Sequence, residues 1–82
     1  LPAVLRLCPG VDSADRLVAL IDFTFNLGAG NLRASNLRRR VNARDYDAVP
    51  DELRKWNKAG GRELRGLTLR REAEIVVFNA GR

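Results

Sequence analysis

The alternation of apolar and polar residues along the chain is typical of helices. After Pro9, Asp12 or Ser13 can cap a helix that runs through ADRLVALIDFTFNL and ends at the Gly28-Ala29-Gly30 segment. No stretch alternates apolar and polar residues for long enough to predict a strand. We therefore expect helices to dominate the fold.

The first predicted helix is apolar around most of its circumference. At about 100° per residue, a narrow polar line contains Asp15, Ala19, Asp22 and Asn26. The remaining positions are the apolar residues Leu17, Leu20, Ile21, Phe23, Phe25 and Leu27. Such a helix should lie at the centre of the domain, and Leu20 and Ile21 are expected to be buried.

The second half of the chain contains further helical patterns. Ser35 can cap the segment NLRRRVN, and Asp45 or Asp47 can start a helix that carries Pro50 in its first turn. Gly60 and Gly61 then interrupt the pattern.

Past Gly66, the segment LTLRREAEIVVFN is periodic again, with Leu67, Ala73 and Val77 predicted to face the core and Gly81 to end the helix. The sequence thus predicts one all-α domain over residues 1–82, with four or five helices and short loops.

Length and composition place the chain among small globular domains. Its 82 residues are 45% hydrophobic and 30% charged, and no apolar run approaches the roughly 20 residues of a membrane span. The first segment, LPAVLRLCPG, lacks Met and the layout of a signal peptide. We interpret the chain as a soluble piece of a longer protein.

The net charge of +5 favours an anionic partner. Arg38, Arg39 and Arg40 form the densest basic run, and Arg33 and Arg44 flank it. Consecutive helical residues point about 100° apart, and no aromatic residue in the run can stack on a base. A basic helical module that binds nucleic acid therefore stays a less favoured alternative.

Several kinds of chemistry are excluded by residue type. The chain has one cysteine, Cys8, and no histidine, so an internal disulfide, an ordinary zinc site and a His-dependent triad are not expected. We expect Cys8 to be a small buried apolar residue, and we expect no metal or cofactor.

The carboxylates give no convincing acid/base pair. Asp22 alone has an apolar context, and it is interpreted as a partner for Arg16 or for a loop amide. Glu63, Glu72 and Glu74 stand among arginines, which should lower their pKa values and form ordinary ion pairs. No catalytic residue is predicted.

The segment KWNKAGGRELRG combines the only tryptophan, Trp56, with Asn57, the Gly60-Gly61 pair, Arg62 and Arg65. A lone tryptophan often fills a core. However, indole faces also pack on sugar rings, amides bind hydroxyl and acetamido groups, and glycines admit a polymer close to the backbone. This combination favours an amphiphilic glycan.

The segments FNLGAGN, RRRVNARDY and WNKAGGRELRGLTLRR follow one another in an order and spacing that resemble the C-terminal lobe of phage-type lysozymes, over about residues 13–78. The resemblance implies a lysozyme-like lobe of orthogonal helices. It also implies a muramidase that hydrolyses the β-1,4 bond between N-acetylmuramic acid and N-acetylglucosamine in peptidoglycan. The parent enzyme would be made in the cytoplasm of the bacterial host and lyse its cell wall.

The same resemblance implies that the catalytic Glu, Asp and Thr belong to an N-terminal lobe, whose DxxGxxTIGYGH-like motif has no match in this chain. The chain alone is therefore expected to be inactive. The substrate-binding residues that the resemblance implies are Phe25, Asn26, Trp56, Gly60, Gly61, Arg62 and Arg65. In this interpretation Arg62 and Arg65 approach acidic residues of the N-terminal lobe.

The expected partners are peptidoglycan glycan strands, the N-terminal lobe and a second copy of the chain, held through the exposed cleft face. Besides nucleic-acid binding, one other alternative stays open, a non-catalytic prophage remnant that holds other partners.

Overall fold

The computed structural model describes residues 3–81, which form a bundle of short helices with one small hairpin. The α-helices are α1 (Ala3–Leu7), α2 (Ala14–Leu27), α3 (Ala29–Ala34), α4 (Asn36–Asn42), α5 (Val49–Arg54) and α6 (Arg65–Ala80). A 3₁₀ turn, Tyr46–Ala48, precedes α5, and the strands β1 (Lys58–Ala59) and β2 (Arg62–Glu63) pair antiparallel between α5 and α6. The predicted all-α class is confirmed, although α1, α3 and the hairpin were not singled out in the sequence.

Two of the predicted N-caps make the expected hydrogen bonds, whereas neither Asp45 nor Asp47 caps α5, whose N-cap is Ala48. The Ser13 hydroxyl accepts a hydrogen bond from the backbone N–H of Arg16 at 3.2 Å, and the Ser35 hydroxyl accepts one from that of Arg38 at 3.1 Å. Gly28 ends α2 with a φ of 93°, a conformation that favours glycine. Pro50 lies in the first turn of α5, where its missing N–H is not needed.

The core lies where α2 packs against α6, with α4 and α5 closing it from the side. Leu20, Phe23, Leu53 and Phe78 are all fully buried there. The line of positions on α2 that was predicted to be polar, which includes Ala19, is partly inside the domain. Ala19 is only 1% exposed because α6 covers this face of α2. Burial of this small residue allows the two helices to approach closely.

Two residues predicted to contribute to the core, Ile21 and Ala73, instead reach solvent. Ile21 is 43% exposed because it lies on the side of α2 that α6 leaves uncovered, and Phe25 on the same side is 87% exposed. Ala73 on α6 is exposed as well, whereas Val77 packs against the core as predicted. Together with Val18, which is 54% exposed, Ile21 and Phe25 form an apolar stripe along α2, which we call the α2 stripe.

Truncating Leu20 to Ala should destabilise the domain by about 2–5 kcal/mol, because the removed atoms leave a cavity in a close-packed core. Ile21→Ala is the matched control on the same helix, and it should cost well under half as much because its side chain is 43% exposed. Chemical denaturation of both variants measures the difference. Equal losses of stability would mean that the side of α2 facing the core is misassigned.

The N-terminal segment is attached to α4 by polar contacts. The backbone carbonyl of Leu7 accepts hydrogen bonds from Arg38 Nε at 2.7 Å and from Asn42 Nδ2 at 2.8 Å. Cys8 is fully buried beside this junction, as predicted, and burial raises the pKa of its thiol to about 11. The thiolate, which is the nucleophilic form, is therefore strongly disfavoured at neutral pH.

The basic run on α4 does not present one continuous surface. Arg38 binds backbone carbonyls of Leu7 and Arg33, and Arg40 forms an ion pair with Asp45 at 3.2 Å. Across residues 3–81, no helix is long and apolar enough to cross a membrane, and no group of His, Cys, Asp or Glu side chains is arranged to hold a metal ion.

Candidate substrate-binding surface

The predicted site residues come from three neighbouring parts of the fold. Phe25 and Asn26 lie in the last turn of α2, Trp56 follows α5, and Gly60-Gly61 form the turn of the hairpin. Arg62 lies on β2 and Arg65 is the first residue of α6. The long packing contact between α2 and α6 therefore fixes the position of one end of this surface relative to the other.

Arg71 joins two of these parts. It is fully buried, and its Nη2 donates to Asn26 Oδ1 at 2.9 Å, while its Nη1 donates to the backbone carbonyl of Trp56 at 3.3 Å. On the other side Nη2 binds Glu74 Oε2 at 2.8 Å. One guanidinium thus holds the α2 terminus, the tryptophan and α6 in a fixed arrangement.

The contact between Arg71 Nε and Glu74 Oε1 is of a different kind. The two atoms are 2.7 Å apart, which is an ion-pair distance, but neither makes a well-directed hydrogen bond. The guanidinium also lies 5.4 Å from the centre of the Phe23 ring. Aromatic and carboxyl groups together therefore offset the cost of burying this charge.

Trp56 is half-buried, so it is both a packing residue and a surface residue. Its ring meets Phe23 edge to face, with centroids 5.4 Å apart and planes at 88°. This geometry is favourable for aromatic pairs and fixes the orientation of the indole. The remaining part of the indole is accessible to a ligand.

The hairpin requires its two glycines. Gly60 and Gly61 have φ values of 59° and 79°, the left-handed backbone typical of a two-residue hairpin turn. A Cβ added at either position would meet no atom within 4 Å, so the space above the turn is open. A hydrogen bond of 3.2 Å from Asn57 Nδ2 to Thr68 Oγ1 joins the segment before the hairpin to α6.

Arg62 and Arg65 are exposed, and within residues 3–81 neither belongs to an ion pair. No hydrogen bond among the described residues joins either of them to Phe25, Asn26 or Trp56. The structure therefore brings Asn26 and Trp56 together through Arg71. It leaves Arg62 and Arg65 as exposed cations on the hairpin and at the start of α6, without contact to the other site residues.

Two sequence-based interpretations of carboxylates are wrong. Asp22 pairs with Arg70, at 3.1 Å between Asp22 Oδ1 and Arg70 Nη2, and not with Arg16 or a loop amide. Glu74 was expected to have a lowered pKa. Instead burial raises its pKa to about 8, a hydrogen bond with Asp22 adds to the rise, and the charge of Arg71 opposes it.

Asp22 and Glu74 thus form a carboxyl pair that the sequence did not reveal. Interaction with Glu74, followed by the contact with Arg70, holds the pKa of Asp22 below its usual range, although burial opposes the change. Asp22 on α2 is paired with Arg70 on α6, and Glu74 is paired with the buried Arg71. Both carboxyls are thus engaged within the fold, and the Asp22–Arg70 pair links α2 to α6.

Arg71 is the residue of this surface that sequence reasoning missed, since it was counted only among the arginines expected to form ordinary ion pairs with nearby glutamates. A signal was present, because Arg71, Ile75 and Phe78 share one helical face and the other two are apolar. An arginine in the middle of a buried apolar face needs internal partners. The sequence does not show that Asn26 and the Trp56 carbonyl supply them.

The family described as Phage lysozyme matches residues 3–74. The chain is 48% identical to the SAR-endolysin of Bacteriophage PS119 over 59 residues, which is 72% of this chain and 35% of that protein. It is 37% identical to the endolysin of Bacillus phage B103 over 81 residues, covering 87% of this chain and 31% of that protein.

The SAR-endolysin of Enterobacteria phage PA-2 is 47% identical over 58 residues, which is 71% of this chain and 35% of that protein. The chain spans about a third of the length of the curated relatives it matches. Since the family match runs from α1 into α6, it includes every element that carries the Arg71 network. The chain belongs to the phage lysozyme family.

Proposed function

We propose that the chain forms the C-terminal lobe of a phage or prophage endolysin and provides one wall of its peptidoglycan cleft. The whole enzyme would hydrolyse β-1,4 bonds between N-acetylmuramic acid and N-acetylglucosamine and thereby lyse the host cell. It would be made in the host cytoplasm and would act on the cell wall. Family membership and the relatives named as endolysins support this proposal.

The observation that carries the proposal is the position of Phe25. Its ring is 87% exposed at the end of a helix whose next residue, Asn26, is held by the buried Arg71. Keeping a large apolar ring in water on a well-fixed helix end is unfavourable unless something covers it. The apolar face of a sugar ring matches such a surface.

Asn26 supplies a polar group beside that ring. Its Oδ1 is occupied by Arg71, and among residues 3–81 no acceptor binds its Nδ2. Because the amide is oriented by Arg71, the Nδ2 group faces away from that contact and can donate to a hydroxyl or acetamido oxygen. Phe25, Asn26 and Trp56 would therefore bind the glycan, with the open Gly60-Gly61 turn admitting the strand.

The remaining part of the enzyme would meet this lobe at two features. The part of the α2 stripe formed by Val18 and Ile21 is an apolar surface that a further part of the protein can cover, next to the glycan-binding Phe25. Arg62 and Arg65 lie at the edge without acidic partners in residues 3–81, and carboxylates of an N-terminal lobe would satisfy them. The lobe over residues 1–82 would then be one half of the cleft.

The isolated chain should self-associate through the α2 stripe, because an uncovered apolar surface favours contact with a second copy. Analytical ultracentrifugation over a range of concentrations measures this. Replacing Phe25, which is 87% exposed, with Ser should shift the equilibrium towards monomer, whereas the same change at Val76, 70% exposed on α6, should not. A monomer at every concentration would contradict the expectation.

Binding of N-acetylglucosamine oligomers tests the proposed function itself. Because the chain contains one tryptophan, its fluorescence reports Trp56 alone, and a saturable change is expected on titration. Phe25→Ala should weaken the affinity roughly fivefold, equivalent to about 1 kcal/mol of aromatic packing. Val76→Ala is the matched control for loss of an exposed apolar side chain. No fluorescence change, or equal effects of both variants, would refute the site.

The alternative of a nucleic-acid-binding module is not favoured. The family match does not support it, and Arg38 and Arg40 are engaged within the fold and do not form one basic face. A prophage remnant that holds other partners would give no glycan binding in the same titration.

A further inference from the structure

A second crevice lies at the opposite end of α2 from Phe25. It has a volume of about 350 Å³ and is lined by Arg16, Arg44, Asp45, Tyr46 and Asp47. Arg16 precedes Phe25 by nine residues on the same helix, which corresponds to about 14 Å along the axis. The crevice is therefore separate from the proposed glycan surface.

Arg16 is the unusual residue of this crevice. It exposes only 7% of its surface, and its guanidinium carbon lies 3.9 Å from the centre of the Tyr46 ring. Its Nη1 binds Asp12 Oδ1 at 3.0 Å, and no hydrogen bond within residues 3–81 involves its Nη2, which a ligand oxygen in the crevice can therefore meet. Its Nε also lacks a partner, but this atom is closed to solvent and to a ligand.

The rest of the lining offers one further cation and one anion. Arg44 and Asp47 are exposed, and within the described residues neither forms an ion pair. Asp45 is already paired with Arg40 at 3.2 Å, and the Tyr46 hydroxyl donates to the Gly10 carbonyl, so the tyrosine presents mainly its ring. With the paired groups included, three cations (Arg16, Arg40 and Arg44) balance three anions (Asp12, Asp45 and Asp47).

A neutral crevice with separated charges suits a ligand that carries both charges. A ligand with only a negative charge would be repelled by Asp47, and a ligand with only a positive charge would be repelled by Arg16 and Arg44. A carboxylate that binds Arg44 and the Nη2 of Arg16, with an ammonium group towards Asp47, pairs both exposed charges and the unpartnered nitrogen of Arg16 at once. The volume lies at the small end of the range of ligand pockets, so the ligand must be small.

We propose that this crevice binds the zwitterionic head of an α-amino acid, with the carboxylate on Arg16 and Arg44 and the ammonium on Asp47. The ligand is either a free amino acid or an amino-acid head at the end of a longer side chain, as in a diaminopimelate-containing peptide. The site does not depend on the proposed glycan function. The crevice would have a role at the cell wall only if its ligand is the diaminopimelate-containing peptide.

Amide-resolved NMR titration of the chain with alanine, alanine amide and N-acetylalanine tests the proposal. The expected result is a saturable shift of the amides of residues 44–47 with alanine. The two derivatives lack one of the two charges, so their affinities should be at least about tenfold lower. A titration with the tripeptide L-Ala-γ-D-Glu-diaminopimelate distinguishes the sources: tighter binding than alanine assigns the crevice to the peptide, and equal or weaker binding assigns it to free amino acids.

The variants avoid Arg16, whose loss could unfold the domain. Arg44 has a φ of 58°, so Arg44→Asn keeps a residue that tolerates this backbone, and Asp47→Asn removes the anion. Each should lower the affinity for alanine about tenfold. Arg33→Asn and Asp15→Asn are the controls, since they remove the same charges at exposed positions outside the crevice. Absence of shifts with alanine, equal binding of the three small probes, or equal effects of crevice and control variants would overturn the proposal.

Discussion

Replacing Arg71 with Met should unfold the domain or bring it close to unfolding, with a loss of about 3–5 kcal/mol. Methionine keeps much of the apolar volume but removes every donor. Asn26 Oδ1, the Trp56 carbonyl and Glu74 Oε2 would each lose a hydrogen bond, and Glu74 is 3% exposed. Single domains are stable by only about 5–15 kcal/mol, and one this small lies towards the lower end.

Arg70→Met is the matched control, because the neighbouring arginine pairs with Asp22 at the surface, where both side chains are 41% exposed. Its loss should be at most about 1 kcal/mol. Adding Glu74→Leu to Arg71→Met should recover part of the stability, since no buried carboxyl then remains. Urea denaturation of the three variants measures these differences. An Arg71 variant as stable as the Arg70 variant would show that the buried network does not hold the fold.

The purified chain of residues 1–82 should not lyse peptidoglycan. Glycoside hydrolysis needs one carboxyl to protonate the leaving oxygen and a second group across the bond, and losing general acid catalysis alone typically costs about 10²–10⁴ in rate. Asp22 and Glu74 do not replace these groups, because Asp22 is paired with Arg70 and Glu74 with the buried Arg71. Binding by one cleft wall does not accelerate the reaction either, since it holds substrate and transition state equally.

Turbidity clearing of a cell-wall suspension measures this, with a full-length relative such as the SAR-endolysin of Bacteriophage PS119 as the positive control. An excess of a matching N-terminal lobe should restore some clearing. Clearing by the chain alone that is abolished by Asp22→Asn or Glu63→Gln would show that catalytic carboxyls have been misplaced.

Local signals in the sequence predicted much of the fold. Ser13, Ser35, Gly28 and Pro50 act through contacts within a few residues, and each ends or begins a helix where expected. The choice between faces of α2 could not be predicted in the same way. Apolar residues surround the helix, so the buried side depends on where α6 packs, and that packing buries Ala19 and leaves Ile21 exposed.

The candidate site shows the same division. The interruption at Gly60-Gly61 was visible in the sequence because it is local. The orientation of Trp56 depends instead on the distant Phe23, and the Arg71 contacts join positions 45 and 15 residues apart in the chain. The raised pKa of Glu74 has the same origin. Nearby arginines predicted a lower pKa, but burial between α2 and α6 outweighs their charge, and sequence spacing does not reveal burial.

The most direct test of the central claim is to map the binding of an N-acetylglucosamine hexamer onto the chain by amide-resolved NMR. The account predicts saturable shifts concentrated at Phe25 and Asn26, at Trp56 and Asn57 and in the 58–63 hairpin, with α4 unaffected. Shifts centred on the basic residues of α4, or no shifts at saturating oligomer, would contradict the assignment of this surface as the wall of a glycan cleft.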